Sequence, residues 1–287
     1  MHTATNATNL IAGSGKYKTA FILTLNHENH PRNAAIAAFL ERHGWRSVFV
    51  IGTRGAELAA AEYFDLVLPY AIARGRIMTP GEVGCALGHR RIYELFLSTN
   101  LDAAVVLEDD AMLDEVGMAR LSALLELPVH SAQYINIVGM EGMEPEKPMI
   151  AARLLDSALE LWEISRTDTG WIFGTCGYLL SRPLANRLLT LADRGVFVVD
   201  DFPYLLREGA FDRLLWCYCV GHPRAIGSTI EKSRAKIADL YIGKRAKPWT
   251  KFFLELRQTN LYRPMLSRVY SLLFFRQKLM WRSRFGG

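Results

Sequence analysis

From Thr19 onward the chain alternates short, branched apolar runs with longer stretches whose apolar residues recur every three or four positions. TAFILTLN predicts a buried strand ending at Asn26. NAAIAAFLERHGW, with Ile36, Phe39 and Leu40 on one side and Gly44 at its end, predicts a helix. RSVFVIGT predicts a second strand, AELAAAEYF a short helix and DLVLPY a third strand. TPGEVGCALGHRRIYELFLSTN opens on a capping box, with Thr79 as cap, Pro80 at the first helical position and Glu82 closing the motif. That helix runs to about Ser98, and AAVVLEDD follows as a strand. Further strands are predicted at AQYINIVG, ALELWEIS, GWIFGTCGYLLS and LLWCYCVG, with a helix at RPLANRLLTLADRG among them. Strand–helix alternation giving way to a strand-rich half predicts an α/β sandwich, a mainly parallel sheet flanked by helices. In such sheets ligands bind beyond the carboxyl ends of the strands. Asn26 and the triplet Glu108-Asp109-Asp110 both fall there.

Composition adds a division of the chain. Its 287 residues, half of them hydrophobic, can bury a full core as one large domain carrying a tail. Residues 1–18, polar and rich in Thr, Asn and Gly, read as a disordered lead-in without the features of a secretory leader. Residues 19–243 form the predicted folded domain. Residues 244–287 hold eleven Lys and Arg against one acid, Glu255, a net +10; the rest holds 23 basic and 28 acidic side chains, a net −5 within the overall +5. A helical projection of the tail from Tyr262 to Phe285 gathers Tyr262, Met265, Leu266, Val269, Leu273 and Met280 on one side, while Phe274, Phe275, Trp281 and Phe285 add aromatic bulk. A basic amphipathic helix of this kind predicts either a helix packed back on the folded domain with its charges solvated or peripheral attachment to an anionic membrane surface through residues 250–287, at the inner face of the cytoplasmic membrane. No run reaches the roughly 18 apolar residues of a membrane span. Nucleic acid is not an expected partner, because the body is acidic and no recognition motif accompanies the tail. Four scattered cysteines (Cys85, Cys176, Cys217, Cys219) make no disulfide framework and fit a reducing compartment.

The acidic triplet is the strongest chemical signal. Three adjacent carboxylates at the end of an apolar strand repel one another and lose hydration, unless the strand has simply reached solvent or a cation sits there. In extended chain Glu108 and Asp110 project to one side and Asp109 to the other. Glu108 and Asp110 are therefore candidate ligands of a hard divalent cation, Mn²⁺ or Mg²⁺, with Asp109 left for a ribose hydroxyl or a supporting bond. His222, following the last strand, is a candidate third ligand or a turn residue before Pro223. Asn26 and Arg32 are candidate contacts to a nucleotide or its phosphates. Asp200 and Asp201 in VVDDFP are candidate general bases or caps of a helix starting near Phe202.

MTPGEVGCALGHRRIYELF, VVLEDDAML, GTCGYLLSRPLANRLL and FVVDDFPYLL, in that order and spacing, resemble glycosyltransferase family 25, the bacterial lipooligosaccharide and lipopolysaccharide galactosyltransferases and their collagen-modifying relatives. The family's TPGE-GC--SH helix matches Thr79 to His89, with Gly88 where the family has Ser. Its later blocks match Gly174, Tyr178, Ser181 and Ala185, and then Val199-Asp200. The resemblance implies a GT-A-like (Rossmann-like) fold and transfer of a hexose, galactose above all, from a UDP-sugar to a glycan or lipid-linked glycan acceptor with inversion. It also implies Asp200 as the base and places His89 at the active site. Two rival readings keep the same acids: a metal-dependent phosphohydrolase, and a degenerate protein that holds nucleotide sugar or glycan without turnover.

Overall fold

The computed structural model describes residues 18–27, 29–128, 131–139 and 150–222, with the backbone of 277–279. The elements run β1 (Lys18–Thr24), α1 (Pro31–Arg42), β2 (Trp45–Ile51), α2 (Ala60–Arg74), α3 (Pro80–Leu97), β3 (Ala103–Glu108), α4 (Glu115–Leu125) and β4 (Gln133–Val138). They continue with β5 (Ile150–Asp156), β6 (Leu161–Ile164), β7 (Gly177–Ser181), α5 (Arg182–Ala192), α6 (Phe202–Arg207), β8 (Arg213–Val220) and β9 (Gln277–Leu279).

The nine strands among the described residues join one sheet in the order β2-β1-β3-β7-β4-β8-β6-β5-β9. The expected α/β sheet with flanking helices is present, but its parallel pairing is confined to β2-β1-β3 and β4-β8. The pairs β3-β7, β7-β4, β8-β6, β6-β5 and β5-β9 are antiparallel. Because β7 runs against both its neighbours, β4 and β8 point the same way as β1 and β3. One edge of the sheet thus collects the carboxyl ends of β1, β3, β4 and β8 and the amino end of β7.

Alternation on the central strands builds a core on each face. Ala20 and Ile22 of β1 and Val105 and Leu107 of β3 pack with Ile36 and Leu40 of α1 and Met118, Leu121 and Leu124 of α4. Phe21 and Leu23, with Ala104 and Val106, face α2, α3 and α5, meeting Val67, Val83, Ile92, Phe96 and Leu188. Each fully buried large side chain among these stabilises the fold by about 1.5–3 kcal/mol. The capping box at α3 is complete: Thr79 Oγ1 accepts from Glu82 N, and the Glu82 carboxylate accepts from Thr79 N at 2.7 Å. Gly88 sits where a Cβ would stand 2.5 Å from Leu23 Cδ1, so Leu23 fills the space that the family's serine would take.

The structure corrects several expectations. DLVLPY is not a strand; it is the middle of α2. Val67 and Tyr70 are buried one turn apart, while Phe64, Leu68 and Ile72 lie exposed along another face. Apolar residues all round the helix hide its period, and Pro69 inside it reads as a break. The segment after α5 docks at this point, with Val196 N donating to Leu66 O at 3.0 Å. Helix α4 and strand β5 were not anticipated. Of the expected tail helix, Gln277–Leu279 instead forms strand β9 against β5, where backbone pairing replaces helical bonding. The rest of 244–287, and the lead-in to residue 17, lie outside the described residues.

Candidate functional site

The chain order β1, β2, β3 with β1 lying between the other two makes the β1/β3 gap a topological switch point, where open α/β sheets bind ligands. Asn26, Arg32 and Asp109 meet there. Asp109 Oδ2 accepts from Thr24 Oγ1 and from Asn26 Nδ2 at 3.2 Å, and Arg32 lies 3.5 Å from Oδ1. Buried Asn33 donates to Thr24 Oγ1 and to the His27 carbonyl, fixing the turn between β1 and α1. The Arg32 guanidinium remains well exposed beside this network.

Glu108 continues the alternation of Ala104 and Val106 and so faces α3, the side opposite Asp109. His89, 0% exposed, stands behind it with Nε2 3.7 Å from Glu108 Oε1. The other ring nitrogen, Nδ1, is 2.9 Å from the Tyr178 hydroxyl. Tyr178 therefore orients the ring. Thr175 Oγ1 donates to Glu108 Oε1 at 2.8 Å. Burial pushes the Glu108 carboxyl up, but neighbouring His89, the Thr175 bond and the charge of His222 outweigh it, leaving the carboxyl below its ordinary value.

Asp110 follows in the turn after β3. Its pKa is raised, by burial first and then by the nearby Glu108 charge. His222 Nε2 lies 3.9 Å from Asp110 Oδ2. Backbone bonds between Met112 and Gly221, 2.9 Å in both directions, hold the end of β8 against this turn. Asp110 Oδ1 is buried without a hydrogen-bond partner. Among the described residues no Lys or Arg is paired with Glu108 or Asp110. Two carboxylates and an imidazole are donors of the kind a hard or borderline divalent cation takes, but among the described residues the group whose ligand atoms all gather within 4.8 Å is Cys85, His89 and Glu108.

Asp200 and Asp201 divide sharply. The Asp201 side chain is 8% exposed, caps α6 by accepting from Tyr204 N, accepts from Tyr70 Oη at 2.6 Å and pairs with Arg74 at 2.6 Å. These partners explain its sequence pattern as structural. Asp200 is half-buried and accepts from Gly174 N at 3.3 Å. Gly174 adopts φ +83°, a left-handed conformation open to glycine, and its carbonyl accepts from buried Asn136 Nδ2 at 2.8 Å. Gly174 and Thr175, adjacent at the amino end of β7, thereby tie Asp200 to Glu108. Thr24, Thr175 and Asn136 had no sequence signal of their own; the role of Thr24 comes from the β1–β3 pairing, and those of Thr175 and Asn136 from the β7 insertion. Cys217 and Cys219 share one face with sulfurs 3.5 Å apart, away from the site in the other core.

Among curated proteins, procollagen galactosyltransferase 1-B of Xenopus laevis is 33% identical over 135 residues, covering 45% of this chain and 20% of that protein. Procollagen galactosyltransferase 2 of Homo sapiens is 28% identical over 142 residues, 47% of this chain and 20% of that protein. "Probable inactive glycosyltransferase 25 family member 3" of Bos taurus is 30% identical over 157 residues, 53% of this chain and 24% of that protein. The chain thus spans about a fifth of the length of the relatives it matches. The inositol-1-phosphate CTP transferase of T. maritima superposes with a TM-score of 0.40 at 12% identity, over 78% of this chain and 98% of that one, too loose a likeness to bear on the site. The profile described as glycosyltransferase family 25 (LPS biosynthesis protein) matches residues 18–203, which hold the capped helix, the acidic triplet and the Asp200 turn, and the chain belongs to that family.

Proposed function

We propose that the chain is an inverting, metal-assisted hexosyltransferase that moves galactose from a UDP-sugar to a lipooligosaccharide, lipopolysaccharide or related glycan acceptor. The observation that carries this reading is the joint anchoring of Glu108 and Asp200 on consecutive residues, Thr175 and Gly174. A carboxylate suited to the donor's cation and a carboxylate suited to the acceptor's proton then line one site.

Glu108, Asp110 and His222 would hold Mn²⁺ or Mg²⁺, which when bound stabilises charge developing on the departing diphosphate. Asn26 and Arg32 present donors beside the switch point for the nucleotide or its phosphates, and Asp109 orients both. Asp200 takes the proton from the attacking acceptor hydroxyl, as inversion in one displacement requires. His89, buried behind Glu108, positions that carboxylate. Residues 250–287 would hold the enzyme peripherally at an anionic cytoplasmic membrane face, near a lipid-linked acceptor; their charge supports this.

The test is calorimetric titration of the full chain with UDP-galactose in Mn²⁺ and in EDTA, paired with a transfer assay. Chelation should abolish most binding. Asp200→Asn should keep binding while transfer falls by roughly two to four orders of magnitude. Metal-independent binding overturns the cation role; transfer undiminished in Asp200→Asn overturns the base. Binding with no transfer by the native chain to any glycan tried would match the relatives named as inactive.

A further inference from the structure

We infer that Cys85, His89 and Glu108 form a second, thiolate-containing metal site, selective for a borderline cation of the Zn²⁺ class. Cys85 and His89 stand four residues apart on α3 and so lie on one face of it. Glu108 reaches the same face from the end of β3. One ligand atom from each of the three lies within 4.8 Å of the others. Small side-chain rotations close that spread to the separations set by Zn–S of about 2.3 Å and Zn–N of about 2.0 Å.

The independent pointer to a ligand is His89 Nε2, which is buried with no group inside hydrogen-bond distance and faces Glu108 Oε1 3.7 Å away. Burying an imidazole nitrogen unpaired is unfavourable. Tyr178 at Nδ1 supplies the supporting bond that metal-bound histidines use: with the proton on Nδ1 donated to the Tyr178 hydroxyl, the Nε2 lone pair is free for a cation. Cys85 is only partly buried and the Glu108 side chain is 29% exposed, which gives an ion a way in. The ligand set is unlike the carboxylate–imidazole set at Asp110. A thiolate selects against Mg²⁺ and Mn²⁺ and for Zn²⁺ or its optical analogue Co²⁺. Binding releases the Cys85 thiol proton to solvent. Since Glu108 belongs to both sets, and granting its role in donor binding proposed above, Zn²⁺ here competes with Mn²⁺-supported UDP binding.

The site is tested by titrating the full chain with Co²⁺ and recording thiolate-to-cobalt charge-transfer absorption. One equivalent should develop the band, and Zn²⁺ should bleach it. Cys85→Ser should abolish it, whereas the Cys217→Ser/Cys219→Ser pair should leave it intact. Tyr178→Phe should weaken Co²⁺ binding by about 10- to 100-fold, the usual effect of removing a bond to a ligating histidine. A missing band, or one that survives Cys85→Ser, overturns the site. Competition is read separately, as UDP affinity in Mn²⁺ with and without stoichiometric Zn²⁺. The native chain should lose affinity with Zn²⁺, and Cys85→Ser should bind UDP normally and be insensitive to it. A cobalt band with no zinc effect on UDP overturns the competition while leaving the site standing. UDP binding unaltered in Glu108→Gln would instead fault the donor-site reading.

Discussion

Replacing Asp201 with alanine should destabilise the fold strongly. Three interactions go at once: the cap on α6, the bond from Tyr70 Oη and the pair with Arg74. Loss of a cap costs about 1 kcal/mol. A hydrogen bond to a charged group contributes about 1.5–3 kcal/mol. The Tyr70 ring is 1% exposed, so its hydroxyl is left with little access to water. Arg74 is 35% exposed and can turn outward, so breaking the pair falls well short of the 3–5 kcal/mol of a fully buried one. The three share one side chain and do not add independently, which gives a loss of about 3–4 kcal/mol. For a domain of this size that is a fall in Tm of roughly 6–16 °C. Asp201→Asn should recover part of it, since asparagine still caps and still accepts from Tyr70. Thermal unfolding followed by circular dichroism reads all three proteins. A Tm for Asp201→Ala within about 2 °C of native would refute the assignment of Asp201 to structure.

Other consequences are open to direct measurement. Asp110→Asn should unfold like the native chain but lose most Mn²⁺-dependent UDP affinity in calorimetry, because it removes the ligand's charge while keeping the side chain's size; equal affinity would remove Asp110 from the cation site. Glu163 is opposed by burial but held below its ordinary 4.5 by bonds from Arg213 and Arg153. A depressed folded pKa stabilises the native state above 4.5, and that gain disappears as pH falls from 4.5 through the folded value. Glu163→Gln should therefore flatten the acid limb of a stability–pH curve in that window, and an unchanged limb would show the pairs to be ineffective. Sedimentation with anionic vesicles at low salt should retain the full chain and release one ending at Lys247; equal retention of both would exclude the tail as the anchor.

Much of the site was legible because strand ends are legible. TAFILTLN, AAVVLEDD and LLWCYCVG each read as strands, and any sheet in which they run parallel brings Asn26, Glu108, Asp110 and His222 to one edge. What could not be read was the direction of β7 and its place in the sheet. GWIFGTCGYLLS is as apolar as its neighbours, and periodicity carries no information on direction, so its antiparallel insertion between β3 and β4 left no trace. The adjacent aspartates posed a different difficulty. Nothing local separates Asp200 from Asp201; they are distinguished by Tyr70 and Arg74, which lie some 130 residues earlier in a helix that read partly as strand.

The direction and register of β7 govern the geometry. Leu107 faces Gly177 across the β3–β7 pair, and Glu108 N donates to Cys176 O at 2.9 Å, which sets Thr175 opposite the Glu108 carboxylate. Side chains alternate with a period of two, so a slip of β7 by one residue would turn Thr175 away and bring a cysteine or a glycine toward Glu108. The same slip would carry Gly174 N away from Asp200. Register is fixed by Tyr178, Leu179 and Leu180 fitting two cores on opposite faces of β7. The spacing of the two carboxylates is therefore a property of core packing, and substitutions that shift β7 should impair donor and acceptor steps together even where no polar residue is touched.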